Sequence, residues 1–236
     1  MFLKKKPAVT VDARLKHIAF IMDGNGRWAK KRSMPREYGH ISGAKTFKTI
    51  IRYCGDIGIR MITVYAFSTE NWKRPKEEVD AILKLLSDYI DDAEASMDEN
   101  NIRLVFLGDK SIFPPELRDK IDHVENISKD KELLLNIALN YGGRAEITHA
   151  CNTLMASGRT SVCEEDLSAA MYTSHCPDPD LIVRTGGDKR ISNFLLWQAA
   201  YAELYFTDTL WPDLKPAEID KIVADFYGRK RRFGGI

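Results

Sequence analysis

Apolar residues along this chain fall into two alternating kinds of segment. Short, nearly unbroken runs at residues 18–22, 61–67, 103–107, 134–140 and 181–184 are bounded by polar or glycine-containing stretches, and they read as buried strands. Between them lie longer segments whose apolar residues recur three and four apart. These predict helices over 41–57, 75–100, 115–126, 144–156, 164–172, 193–202 and 216–231. In the second helix Val79, Ile82, Leu83, Leu86, Ile90, Ala93 and Met97 share a face. Pro75 suits its first position, and Lys76-Glu77-Glu78 puts acids in its first turn. Strand–helix alternation predicts an α/β fold: a single domain with a mostly parallel central sheet flanked by helices.

No linker, repeat or low-complexity stretch divides the chain of 236 residues, so one domain is expected over 17–236 behind a flexible N-terminal segment, 1–16. The formal charge of +1 supplies no global field for nucleic acid, and no nucleic-acid partner is expected. Basic clusters are local, at Lys4–Lys6 and near Arg229–Arg232. Cys54, Cys151, Cys163 and Cys176 have no metal-ligand spacing, which points to reduced thiols and a cytoplasmic setting, with Cys54 and Cys151 on apolar helix faces. His175-Cys176 reads as a loop pair before Pro177. No apolar run approaches the ~20 residues needed to span a bilayer, so membrane contact would be peripheral, at the inner face of the membrane.

The polar motifs sit where strands end. Asp23, Ser68, Asn140 and Arg184 each lie at or just past the carboxyl end of a predicted strand, the edge at which open parallel sheets bind ligands. Arginines gather at the same edge: Arg27, Arg74, and Arg184 with Arg190. Their forked guanidinium groups match phosphate oxygens, and their number suggests more than one phosphate group. Asp23 is followed by Gly24, Asn25, Gly26 and Arg27. A carboxylate beside an anion nest suits Mg²⁺ bridging to a diphosphate. Taken alone, the same run also fits a tight turn with Asp23 capping the next helix. Together the motifs read as a Mg²⁺-assisted enzyme acting on diphosphates.

Four stretches in this order, His17–Ala29, Phe67–Pro75, Arg184–Asn193 and Tyr201–Phe206, resemble the cis-prenyltransferase family, over nearly the whole chain from about His17. The resemblance implies Mg²⁺-dependent, sequential condensation of isopentenyl diphosphate with an allylic diphosphate such as farnesyl diphosphate. The implied product is a long-chain polyprenyl diphosphate, undecaprenyl diphosphate, the lipid-carrier precursor for cell-wall synthesis. It implies Asp23 as the catalytic Mg²⁺ ligand, and Gly24, Asn25, Gly26, Arg27 and Trp28, with Arg36 and His40, as the allylic diphosphate cradle. Ser68, Thr69, Glu70 and Trp72 resemble a mobile loop over that substrate. Asn71 is the family's candidate for proton removal, although an amide is a poor base and positioning suits it better. Arg74 would touch phosphate, and Glu78 resembles a carboxylate implicated in loop closure. Arg184, Arg190, Ile191 and Ser192 resemble the isopentenyl diphosphate site.

Glu203 resembles a second metal ligand, near the subunit interface of the family's homodimers, and the aromatic-rich stretch 194–210 suggests a homodimer here. Lys189 stands where some members carry His. Arg232-Phe233-Gly234 resembles the family's Arg-x-Gly ending. Ala66 and Leu133 match positions near the start and far end of an apolar tunnel for the growing chain, lined by the helix of Phe47, Ile50 and Ile51 and the 79–97 stripe. Leu139 is bulkier than the Ala of some members. The run Asp91-Asp92-Ala93-Glu94 reads as a solvated helix face. Two other readings stand beside this one. Non-catalytic subunits of heteromeric prenyltransferases lack the Asp-Gly-Asn-Gly-Arg motif that this chain keeps. A phosphate- or RNA-binding module would carry its arginines on a basic face with stacking aromatics.

Overall fold

The computed structural model describes residues 9–95 and 101–230. Lys4–Lys6, Met97 and Arg232-Phe233-Gly234 lie outside them. Six strands form one wholly parallel sheet: β1 (His17–Ile21), β2 (Met61–Ser68), β3 (Ile102–Leu107), β4 (Leu133–Tyr141), β5 (Leu181–Arg184) and β6 (Glu203–Phe206), in the order β3-β4-β2-β1-β5-β6. The helices are α1 (Asn25–Lys31), α2 (Arg36–Asp56), α3 (Lys76–Ala95), α4 (Pro115–Ser128), α5 (Gly143–Ala156), α6 (Glu164–Ala170) and α7 (Pro216–Gly228).

All five predicted strands are present, within one residue at either end. Strand β6 and helix α1 were not among the predicted elements. The helix predicted over 193–202 does not form; a run of turns takes its place. Ser192, Asn193 and Leu195 adopt φ of 50°, 63° and 45°, which a right-handed helix excludes. That left-handed start is held from outside, because Asn193 Oδ1 accepts the Arg144 N–H at 2.9 Å. Gln198 further along donates to the buried carboxylate of Glu146 at 3.0 Å.

Alternation along β1 divides the core between the two faces of the sheet. Ile18 and Phe20 join the larger cluster with Phe47, Ile50 and Ile51 of α2, Ile121 of α4 and Ile222 of α7. Ala19 and Ile21 join a smaller cluster with Phe194 and Leu195. Cys54 is buried in the larger core, whereas Cys151 is half-buried.

On the smaller-cluster side a row of polar side chains crosses three strands, and each group has one possible role. The Pro177 carbonyl can only accept, so His17 Nδ1 donates to it at 2.7 Å. His17 Nε2 therefore accepts the Thr63 hydroxyl at 2.7 Å. Thr63 Oγ1 accepts from Asn136 Nδ2 at 3.1 Å, and Asn136 Oδ1 accepts from His175 Nε2 at 2.9 Å. The His175-Cys176 pair thus caps a buried network.

Thr63→Val would leave His17 Nε2 without a partner, at about 1–3 kcal/mol, and would cost Asn136 Nδ2 one of its two acceptors, the other being Cys176 Sγ at 3.4 Å. A lowered denaturation midpoint with an intact active site is expected. Burial holds His17 below its ordinary value of 6.5, so the unfolded chain takes up the proton first. Stability should therefore fall as pH drops below 6.5, and less steeply in His17→Gln, as read by denaturant titration across pH.

Candidate active site

Strands β1 and β5 are neighbours, yet the chain leaves β1 toward β2 and leaves β5 toward β6, so the switch point of the sheet lies between them. In the register, Ile21 pairs with Arg184, which places Asp23 and the Arg184 side chain at one crevice. Asp23 Oδ2 accepts from Arg184 at 2.9 Å and Oδ1 from Arg27 at 2.8 Å. The Asp23 backbone carbonyl accepts from the Thr185 hydroxyl at 2.7 Å and from the Trp211 N–H at 3.0 Å. Burial raises the Asp23 carboxyl pKa, but the hydrogen bonds from Arg27 and Arg184 outweigh it and hold the group below its ordinary value. The group is therefore an ionised carboxylate at neutral pH.

Glycine is required twice in the turn after β1. Gly24 has φ of 117°, and a Cβ there would stand 2.9 Å from the Leu210 Cα. A Cβ on Gly26 would stand 2.9 Å from Arg36 Nε, so its absence lets that guanidinium lie across the turn.

The arginines form two groups, each built on a carboxylate. In the first, Asp188 receives Arg190 at 3.0 Å, Arg184 at 3.4 Å and Arg27 at 3.7 Å. Arg184 is only 5% exposed; it also donates to Ser192 Oγ at 2.6 Å and to the Arg190 carbonyl, while its Nε has no partner. In the second, Glu78 gathers Arg74 at 2.9 Å, Arg36 at 3.2 Å and His40 at 3.7 Å. Burial lowers the His40 pKa, and its buried Nε2 has no hydrogen-bond partner. A neutral imidazole with a vacant nitrogen among arginines is a ready contact for an anion oxygen. Beneath both groups opens a cleft of about 680 Å³, with walls that turn apolar with depth: Ala66, Ile82, Leu85, Leu86, then Val64, Ile137, Phe47 and Tyr89.

Most of the expected site residues meet at this cleft: Asp23, Gly24, Asn25, Gly26, Arg36, His40, Ser68, Glu70, Asn71, Arg74, Arg184 and Ser192 line it. Arg27 and Arg190 stand at its charged rim through Asp23 and Asp188. Others do not. The Trp28 indole donates to Asp213 at 2.8 Å and ties α1 to the turn at Trp211–Asp213. The Trp72 indole donates to Asn140 at 2.8 Å and packs on Phe67 and Phe113, fastening the loop to β4. Thr69 bonds Glu70, and Ile191 packs against the smaller core. Asn71 Oδ1 accepts the Ser68 N–H at 3.1 Å as part of a capping box, so its carbonyl is already engaged.

Glu203 stands apart from Asp23 within the single chain. It pairs with Leu181, at the opposite end of β5 from Arg184, and its carboxylate binds Arg229 at 2.8 Å. Within one chain it is at the far edge of the sheet from Asp23. Leu133 is absent from the cleft wall and, half-buried, packs against the larger core beside Gly55; Leu139 is buried in that core. Sequence reasoning missed Asp188 as the hub of three arginines, and it gave Glu78 a loop-closure or first-turn role without its contacts to Arg74, Arg36 and His40. The signal for Asp188 was its position between Arg184 and Arg190.

Among the described residues no cluster of three or more His, Cys, Asp or Glu side chains could enclose a metal. The donor set nonetheless fits Mg²⁺. That ion is commonly held by one or two carboxylates together with substrate phosphates, and Asp23, ionised and partly open to the cleft, with Asp188 at the same arginines, is such a set.

A parallel α/β sheet carries two arginine groups above an apolar cleft, an arrangement that can receive an anionic group and an apolar one together. Residues 21–234 match the family described as putative undecaprenyl diphosphate synthase. An isoprenyl transferase of Fusobacterium nucleatum is 50% identical, over 94% of this chain and 96% of that protein. The isoprenyl transferase of Aquifex aeolicus is 47% identical, over 93% and 96%. Lavandulyl diphosphate synthase from Lavandula x intermedia, in complex with dimethylallyl diphosphate, superposes with a TM-score of 0.90 at 32% identity, over 95% and 100% of the two chains. A probable undecaprenyl diphosphate synthase from Campylobacter jejuni gives 0.80 at 39%, over 94% and 99%. The chain belongs to the undecaprenyl diphosphate synthase family and is a cis-prenyltransferase.

Arg184→Lys keeps the charge but not the fork that spans Asp23, Ser192 and the Arg190 carbonyl. Losing charge-assisted contacts worth about 1.5–3 kcal/mol should weaken inorganic diphosphate binding ten- to hundredfold, as read by calorimetry.

Proposed function

We propose that this prenyltransferase carries out Mg²⁺-dependent, sequential condensation of isopentenyl diphosphate with an allylic diphosphate, farnesyl diphosphate in the first instance. The product is a long-chain polyprenyl diphosphate, undecaprenyl diphosphate, the lipid-carrier precursor of cell-wall synthesis. The observation that carries this reading is the pairing of two separate arginine groups with one apolar cleft beneath them. Two cationic groups suit two diphosphates, and one cleft suits one prenyl tail. The bound dimethylallyl diphosphate of the Lavandula x intermedia enzyme supports an allylic diphosphate as one of the two.

In this reading Arg36, Arg74 and His40, with the turn Gly24–Arg27, hold the allylic diphosphate, its tail descending past Ala66. Arg184, Arg190 and Ser192 hold isopentenyl diphosphate. Asp23, with Asp188 close by, would hold Mg²⁺, which when bound would supply neutralising charge for the leaving group. Arg27 and the allylic-site arginines stabilise the same developing charge as the allylic C–O bond breaks. The isopentenyl double bond then attacks the allylic carbon, and a proton is lost from the adduct. Asn71 positions the loop over the reacting centre through its cap on Ser68.

The walls fill or open according to a few side chains. Tyr89 lies further along α3 than Glu78 by about 16 Å at ~1.5 Å per residue, roughly half the ~30 Å hydrocarbon core of a bilayer. Val64, Phe47 and Tyr89 are the deepest wall residues on β2, α2 and α3; Ile62, Ile50 and Ile90 beyond them are buried core. A primer tail fits this depth, and a growing chain meets the edge-on pair of Phe47 and Tyr89, 4.9 Å between centroids.

We further propose a cytoplasmic homodimer in peripheral contact with the inner face of the membrane for product release. The outer edge of β6, which pairs with no strand among the described residues and has Leu204 and Tyr201 exposed beside it, is a natural contact surface for a second copy. No helix among the described residues is long and apolar enough to cross a membrane.

The central test combines Asp23→Ala with chelation. Turnover of farnesyl and isopentenyl diphosphates should fall by about 10²–10³-fold or more in the variant, with melting unchanged, and should stop on chelation. A folded Asp23→Ala enzyme with near-normal turnover would overturn the assignment. For product length, Ala66→Leu should shorten the product ladder and Tyr89→Ala should lengthen it, while Tyr89→Phe leaves it alone. Unchanged ladders in stable variants would remove these residues from chain-length control.

A further inference from the structure

Helix α2 has two functional faces. His40, Gly43, Ala44 and Phe47 line the cleft. On its outward side Tyr38 and Ile41 are 50% and 39% exposed, and Met34, just ahead of the helix, is 45% exposed. Tyr38 and Ile41, three apart, share one side of the helix, and exposed Met34 at the corner between α1 and α2 extends the apolar patch. The corner is tight. Ser33 adopts φ of 54°, and the Met34 N–H returns to the Ala29 carbonyl at 3.0 Å. Every residue of 30–38 is exposed.

The charge around the patch is mostly positive. Residues 30–45 contain Lys30, Lys31, Arg32, Arg36 and Lys45, with Glu37 the single carboxylate. Arg32 is engaged by Asp213 at 3.2 Å and Arg36 by Glu78 at 3.2 Å. Lys30, Lys31 and Lys45 are exposed and make no ion pair among the described residues. They bracket the patch, Lys30 and Lys31 at one end and Lys45 at the other.

We propose that this corner, Lys30 to Lys45, docks the enzyme onto a lipid bilayer bearing anionic headgroups. An exposed apolar patch framed by unpaired lysines is the composition of an interfacial anchor. The apolar side chains enter the acyl boundary while the lysines meet lipid phosphates. The location suits the task, because Met34, Lys30 and Arg36 also line a shallow groove continuous with Asp23 and Gly26. Docking there sets the diphosphate end of the cleft at headgroup level. The inference rests on the proposed long-chain product, whose tail must reach a bilayer.

The test is sedimentation of the full chain with vesicles of phosphatidylcholine alone, or of phosphatidylcholine mixed with phosphatidylglycerol. Wild-type protein should bind the mixed vesicles more tightly, and added salt should weaken that binding. A triple variant, Met34→Ser, Tyr38→Ser and Ile41→Ser, should lose at least about tenfold in vesicle affinity. Its kcat/KM with short primers in vesicle-free buffer should stay unchanged. Lys31→Glu with Lys45→Glu should weaken binding to the mixed vesicles alone. Equal binding by wild type and the triple variant would overturn the proposal. So would a changed oligomeric state in the triple variant, which would make the patch a contact between copies. A raised diphosphate KM in the lysine variants without loss of vesicle binding would reassign the charges to substrate steering, against the proposal. Patch-dependent vesicle binding by a wild type that makes only short products would sustain the docking surface and fault the product reading alone.

Discussion

The pairing of Asp23 with Arg184 is the constraint on which the rest of the site hangs. A guanidinium as buried as that of Arg184 needs compensating charge and hydrogen bonds, since breaking such a pair leaves an uncompensated buried ion. Arg184 finds them in Asp23, Asp188, Ser192 and the Arg190 carbonyl. These partners lie in the turn after β1 and on the loop after β5. One side chain therefore links the strand register to the left-handed turn at Ser192 and Asn193, and a one-residue slip of β5 would turn Arg184 to the other face of the sheet.

The same logic explains why the arginines can crowd together before any anion arrives. Asp188 and Glu78 each hold three cationic or basic groups within 3.7 Å and offset their mutual repulsion. The guanidinium groups are thereby oriented in advance, so less reorganisation is needed when phosphate oxygens bind. A diphosphate entering either group must share the arginines with the resident carboxylate. Asp23, kept ionised by its two arginines, is the carboxylate that opens onto the cleft as well.

Below this charged rim the fold turns from electrostatics to packing. The apolar cleft is a gap between α2, α3 and the face of β2 and β4, and it closes where Phe47 meets Tyr89. The residues beyond that pair are ordinary core. The stripe that reads in sequence as a tunnel wall therefore serves both purposes. Ile82 and Leu86 face the cleft while Val79 and Ile90 are buried in the protein interior, and hydrophobic spacing is the same for each.

Much of this was legible in the order of residues. Continuous apolar runs marked five of six strands, because a strand buried on both faces admits little else. The motif residues after those runs had to share one sheet edge, whatever the loops did, because parallel strands present all their carboxyl ends together. Strand β6 was not legible: Glu203-Leu204-Tyr205-Phe206 is short and only partly covered, without an apolar run to mark it. The stretch 193–202 carries helical spacing yet forms turns, because Arg144 and Glu146 claim Asn193 and Gln198 from distant elements. Nor could spacing show that Trp28 and Trp72 brace the scaffold, that Asp188 centres three arginines, or that Glu203 lies at the opposite edge from Asp23. The sequence by itself determined the class of fold, the binding edge and the chemical types gathered there, since hydrophobic period and strand polarity are local properties. Only the tertiary structure decided which charges pair, which aromatics face the cleft and where the cleft ends. Those outcomes depend on register and packing between segments far apart in the chain.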